Sequence, residues 1–125
     1  MQEFEIVLYA TEDGIRPVRD FIKSLDEKMQ AKIAHTIRLA AEKDTRLREP
    51  YSKHLGDGIF ELRTKVGTDI SRVLYFFVIG RRIVLTNGFI KKTQRTPPEE
   101  IKRAKAYRAD YLARKEREQH VGRKI

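Results

Sequence analysis

Hydrophobic residues recur along this chain in two rhythms, one of period two and one of helical spacing. Phe4, Ile6 and Leu8 alternate with Glu5, Val7 and Tyr9, the pattern of a short opening strand, which the run Thr11-Glu-Asp-Gly breaks. Pro17 suits a first helical position, and Val18, Phe21, Ile22 and Leu25 follow at helical spacing. Asp26 is an N-cap for a second helix over 27–43, whose apolar stripe is Met29, Ile33, Ile37, Ala40 and Ala41. Residues 44–53 read as a polar loop containing Pro50. Strands are predicted over 59–66, 70–79 and 82–90, joined by turns at Gly67-Thr-Asp and Gly80-Arg. Both alternating sets of the middle strand are apolar, so it belongs at the centre of a sheet covered on two faces, with Arg72 the exception. Pro97-Pro98-Glu-Glu opens a last helix, with Ile101, Ala104, Tyr107, Ala109, Tyr111 and Leu112 as its apolar contacts. Beyond about residue 115 a charged, frayed tail is expected.

The order strand, two helices, three strands, helix predicts an α+β fold. The expectation is a small twisted antiparallel sheet with two N-terminal helices and a C-terminal helix, in one domain spanning 1–125. Helices gathered on one face of such a sheet leave the other open to water and substrate.

Charge changes this picture. The chain of 125 residues carries a net charge of +9, but residues 1–50 hold 9 Lys/Arg against 10 Asp/Glu while residues 51–125 hold 18 against 8. The whole excess therefore sits in the strand-and-helix part, the distribution expected of a nucleic-acid footprint. Arg63, Lys65, Arg72, Lys91 and Lys92 all lie within 62–93, where only Glu61, just before it, and Asp69 oppose them. Residues two apart on a strand share a face, so a meander gathers several of these cations on one patch.

Several chemistries are excluded or poorly served. With no cysteine there is no disulfide, thiol nucleophile or thiolate metal site. Three scattered histidines give no metal-ligand spacing, so no metal and no cofactor are expected. Gly56-Asp-Gly58 is a turn, not a phosphate loop, and no nucleophile elbow is present. The N-terminus has no basic region before a long apolar run, and nothing approaches the ~20 apolar residues of a membrane span. A cytoplasmic protein without a membrane partner is expected.

The phrases HLGDGIFELR, SRVLYFF and VLTNGFIKKTQRTPPEEIKRA, in that order, resemble the HigB branch of the RelE-superfamily toxins, often described as phage-derived-like proteins. The matching span runs from about Lys53 to Tyr111. The resemblance implies a microbial-RNase-like sheet and a type II toxin that cuts mRNA on the ribosome without a metal, by attack of the RNA 2′-OH on its neighbouring phosphate. It also implies a helix-turn-helix antitoxin partner, in a heterotetramer or larger complex. Arg63 matches the arginine of the ELR motif, Arg72 that of the following strand, and Phe89, Lys91 and Lys92 the GF-x-KK segment. Some relatives have a tyrosine where this chain has Phe89, so a phenolic acid is absent there and Phe89 serves only for stacking.

Such cleavage needs a proton acceptor for the 2′-OH, a proton donor for the leaving 5′-oxygen and cations around the phosphorane. Arg63 and Arg72 suit the last task because guanidinium donates two hydrogen bonds to phosphate and stays charged. Lys91 and Lys92 enter proton transfer if neighbouring cations depress their pKa. His54 has the right intrinsic pKa and precedes the ELR strand. Lys53, Lys65, Phe89 and Arg95 are candidates for RNA contact. Arg63→Ala and Arg72→Ala are expected to abolish growth inhibition and leave the fold intact.

Each residue also has a structural reading. Arg63 and Lys65 fit the solvated face of a strand, Arg72 fits an ion pair with Glu61 or Asp69, and Lys91-Lys92 fit protection of a sheet edge. His54 is a lone loop histidine. His35 lies off the apolar stripe of its helix, His120 lies in the tail, and Tyr107 and Tyr111 at i,i+4 fit packing of the last helix. Two other functions stay open: a non-catalytic basic RNA-binding module, and a protein whose basic face docks an acidic partner.

Overall fold

The computed structural model describes residues 3–92 and 94–124. Strand β1 (Glu5–Leu8) leads into helix α1 (Pro17–Lys23) and helix α2 (Glu27–Lys43). Strands β2 (Ser52–Gly56), β3 (Ile59–Val66), β4 (Asp69–Val78) and β5 (Arg82–Ile90) follow, and helix α3 (Pro98–Lys124) closes the chain. The sheet order is β1-β5-β4-β3-β2. Neighbours from β2 to β5 run antiparallel, but β1 lies parallel to β5 with Glu5 opposite Arg82. The α+β fold with two helices before the meander and one after it is as expected, and it is consistent with a RelE-like fold.

Three expectations need correction. The sheet is mixed instead of antiparallel, because the first strand returns to the far edge beside the last. A strand at Ser52–Gly56 replaces part of the predicted loop; its polar, glycine-ended sequence carries little alternation, and pairing with β3 makes it a strand. The helices are not on one face. Val18 and Ala40 from α1 and α2 pack on Leu62, Val73, Tyr75, Ile83 and Leu85, while Ala104 and Tyr111 from α3 pack on Ile59, Leu74, Phe76 and Val84. The doubly apolar β4 is accordingly central and covered on both sides, as its pattern required.

Local chemistry accounts for the helix ends and their docking. Asp26 Oδ1 accepts the Met29 amide at 2.8 Å, capping α2, and Met29, Ile33, Thr36, Ala40 and Ala41 form its buried stripe. His35 is exposed there. Helix α3 continues to Lys124, past the predicted start of a frayed tail; the His120 side chain lies outside the described residues. Tyr107 stacks on Tyr9 with centroids 4.6 Å apart and Tyr111 meets Phe76 edge-on, whereas Ala109 and Leu112, also predicted as contacts, face solvent.

Two details of β5 place the start of α3. Leu74 opposes Asn87 but Tyr75 opposes Leu85, so Thr86 is an extra residue that bulges the strand. Beyond the bulge, Asn87 Nδ2 donates to the Glu100 carbonyl at 3.2 Å and to its carboxylate at 3.0 Å, tying the first turn of α3 to the sheet. On the opposite face Gly88 lies under the Phe21 ring, and a Cβ there would sit 2.4 Å from Phe21 Cδ2. Tyr9 anchors the other side of α3. Its buried hydroxyl donates to Asp110 Oδ2 at 2.5 Å, and burial first, then the Asp110 carboxylate, pushes its pKa up to about 12.

Gly88→Ala should destabilise the fold by about 1–3 kcal/mol through overpacking against Phe21, measured by denaturant midpoint. The raised Tyr9 pKa means that the unfolded chain loses this proton first as pH rises. The stability it contributes is thus complete below the ordinary value of 10.0 and declines as pH climbs towards about 12. Melting curves of Tyr9→Phe should fall less steeply with pH across that window than those of the parent; identical slopes would show that the hydroxyl does not carry the effect.

Candidate nucleic-acid interface

The register of β3 and β4 sets Arg63 directly opposite Arg72, with both side chains on the α3 face. Two guanidinium groups so opposed repel one another. The conflict is resolved by Glu61, two residues before Arg63 on the same face and fully buried. Arg72 Nη1 donates to both Glu61 oxygens at 2.8 Å, and Arg63 Nε donates to Oε2 at 3.0 Å. Thr96, from the segment leading into α3, donates its hydroxyl to Oε1 at 2.5 Å and accepts from Arg72 Nη1 at 3.2 Å. Arg72 is only 2% exposed, and its Nε has no hydrogen-bond partner among the described residues.

Around this buried centre two hollows open. One, of about 450 Å³, is bordered by Lys53, His54, Gln94, Arg95 and Thr96, and the other, of about 350 Å³, by Lys32, Tyr51, Lys65 and Lys91. Arg63 and Arg72 line both and form the waist between them. Arg63 is part-exposed, with the rim carboxylate of Glu49 at 3.6 Å. The Lys91 ammonium is held below its ordinary pKa, first by desolvation and then by the nearby charges of Arg72 and Arg63. Its backbone amide donates to Ile70 at 2.7 Å, which fixes the chain end beside the hollow.

The structure therefore brings together Arg63, Arg72 and Lys91, with Lys53, Lys65 and Arg95 on the walls. Lys92 borders another hollow with Ile70, Lys91 and Gln94, whose lining does not include the two arginines. Phe89, opposite Arg72 in register, packs against the cluster under α3 and lines neither hollow. His54 borders the larger hollow, but its ring stacks on Phe60 with centroids 4.6 Å apart and its Nε2 accepts the Gly58 amide at 3.2 Å. That contact assigns the ring proton of neutral His54 to Nδ1. Among the described residues no cluster of three or more His, Asp or Glu could hold a metal ion, and no helix is long and apolar enough to cross a membrane.

Sequence reasoning placed Glu61 only as a counter-charge or ion-pair partner and passed over Thr96 and Tyr51. The spacing Glu61-x-Arg63 signals a shared strand face. Nothing local in Gln94-Arg-Thr-Pro announces that Thr96 closes over a buried carboxylate 35 positions away.

The expectation that Arg72→Ala spares the fold must be revised, because it would strand Glu61 without its main partner. Arg72→Met or Glu61→Met alone should cost about 3–5 kcal/mol, since each leaves a buried charge without its main partner, and the double variant should recover much of that loss. Thermal or chemical unfolding of the three variants checks this; additive losses would mean that the pair is not coupled.

No curated protein matches the chain. The family described as Phage derived protein Gp49-like (DUF891) matches residues 20–110, from α1 through the two-lobed hollow and into the sheet-facing part of α3. The chain belongs to this Gp49-like family of toxins from toxin–antitoxin systems, relatives of RelE and HigB.

Proposed function

We propose that this toxin is an endoribonuclease of the HigB type that cuts mRNA on the ribosome and is silenced by a cognate helix-turn-helix antitoxin. The observation that supports it most is the convergence of Arg63, Arg72 and a pKa-depressed Lys91 on one hollow with a single buried carboxylate at its base. Cations held rigidly by a sheet are preorganised for charge that develops on a phosphorane.

In the proposed step the 2′-oxygen attacks the adjacent phosphorus and the bond to the 5′-oxygen breaks. One proton leaves the 2′-hydroxyl and one reaches the departing 5′-oxygen, so the products are a cyclic phosphate and a free 5′-hydroxyl. Arg63, part-exposed, donates to the non-bridging oxygens. Arg72, buried, adds its field and holds Glu61, which in turn orients Arg63. Glu61 is a positioning residue here, because its oxygens already accept from Arg63, Arg72 and Thr96. Lys91 is the favoured proton carrier, since desolvation first and then the neighbouring arginines favour its neutral form. His54 is a weaker choice with Nε2 engaged by Gly58. Lys53, Lys65 and Arg95 contact the flanking phosphates, while Lys92 and Phe89 stand outside the reacting centre.

The test is to incubate programmed ribosomes with the protein and map the mRNA ends. New ends bearing cyclic phosphate are expected; intact mRNA despite ribosome binding would reject catalysis in favour of a basic RNA-binding module. Arg63→Ala should slow cleavage by about 10²–10³-fold with little change in melting temperature. Lys91→Met should abolish cleavage without lowering stability. Its depressed pKa means that the charged form is less favourable folded than unfolded below that pKa, so removing the charge relieves the fold. A marked loss of stability in Lys91→Met would contradict this account.

A further inference from the structure

The smaller lobe contains a feature that phosphate binding does not explain. Tyr51 is 45% exposed, the most open Tyr or Phe side chain among the described residues, and it takes part in none of their ring-to-ring contacts. Other tyrosines here serve the core: Tyr75 bonds Ser52, and Tyr9, Tyr107 and Tyr111 seat α3. Leaving a large ring in water forgoes burial that it would otherwise gain.

Its placement is not loose. The Tyr51 carbonyl accepts the backbone amide of Arg63 at 2.8 Å, and its own amide donates to Arg48 at 3.1 Å. One hydrogen bond thus joins the aromatic residue to the residue whose guanidinium stands at the waist. Lys32 from α2, Lys65 from β3 and Lys91 after β5 surround the same lobe, whose volume of about 350 Å³ falls within the usual range for a small-ligand site. An aromatic face ringed by cations from three elements is the arrangement that binds single-stranded nucleic acid, with bases stacked and phosphates held outside.

We infer that the Tyr51 lobe is a base-binding subsite: the nucleotide on one side of the phosphate at Arg63 and Arg72 stacks its base on Tyr51, while Lys32 and Lys65 hold the next phosphate. This rests on the RNA-cleaving reading of the hollow and adds to it a residue and a helix, α2, that the chemistry of cleavage does not require. The larger lobe, bordered by the Gln94 amide and Thr96, receives the nucleotide on the other side.

Binding of short fluorescein-labelled oligonucleotides that lack 2′-hydroxyls, followed by anisotropy on the full chain, tests this without any cleavage. Tyr51→Ala should weaken binding roughly five- to hundredfold, the loss of one stacked base, and Tyr51→Phe should restore it. The salt dependence should be unchanged in Tyr51→Ala, because no phosphate contact is lost. In Lys32→Ala or Lys65→Ala it should drop by roughly 0.7 in the log–log slope. Unchanged affinity in Tyr51→Ala, or an equal loss in Tyr51→Phe, would overturn the subsite. If the parent protein binds such oligonucleotides and cuts mRNA while Tyr51→Ala matches it in affinity, only the subsite fails. A parent that neither binds nor cuts removes the nuclease reading as well.

Discussion

A single buried carboxylate makes this site sustainable. Glu61 lies beneath two arginines that the strand register forces opposite each other, and without it their repulsion would act in a poorly solvated environment. The carboxylate also recruits Thr96, so that the segment leading into α3 is tied to the same point as β3 and β4. Sheet pairing, the approach to α3 and the charge of the hollow thus share one hydrogen-bonded centre. A pair of this kind is weak evidence for added stability, since desolvation offsets much of the attraction. Its value lies in geometry, because it prevents Arg63 from swinging away and keeps Arg72 at the waist.

The arrangement separates two roles that a list of basic residues merges. Arg72 has almost no exposed surface, and its guanidinium acts as a support and a fixed positive field. Arg63 and Lys91 present the groups that meet solvent and ligand. Neutralisation is partial: Glu61 and the rim residue Glu49 face seven cations around the two lobes, Lys32, Lys53, Arg63, Lys65, Arg72, Lys91 and Arg95. The surplus adds to the desolvation that depresses Lys91, and it attracts a phosphodiester chain. Like-charged groups held this close are unfavourable for folding, so the site carries some of its own instability and the rest of the molecule compensates.

That compensation comes from the two-sided core. Helices α1 and α2 seal one face of β3, β4 and β5, and α3 seals the other only in part, because its first turn begins beside the hollow. The bulge at Thr86 is what allows this. By shifting the register of β5 it turns Asn87 towards Glu100, which sets where α3 starts and therefore where the covered face ends. The larger lobe is the part of the α3 face that the helix does not reach.

Local pattern alone determined much of this protein. The helix over 27–43, the central two-faced β4, the hairpin turns and the packing of Tyr107 and Tyr111 all follow from periodicities and caps acting between residues a few positions apart. The cationic character of the meander was equally visible, since charge adds up whatever the fold. Tertiary structure decided everything that depends on distant partners: β1 lying parallel to β5, β2 becoming a strand, and α3 crossing to the second face. It also decided which cations meet. Lys91 joins the arginines and Lys92 does not, because successive residues leaving a strand diverge and only the end of β5 sets their direction. Arg72 differs from Arg63 in role for the same reason. Both are arginines on neighbouring strands, but burial against Glu61 and Thr96 belongs to contacts 11 and 24 positions away, which no short window of sequence encodes.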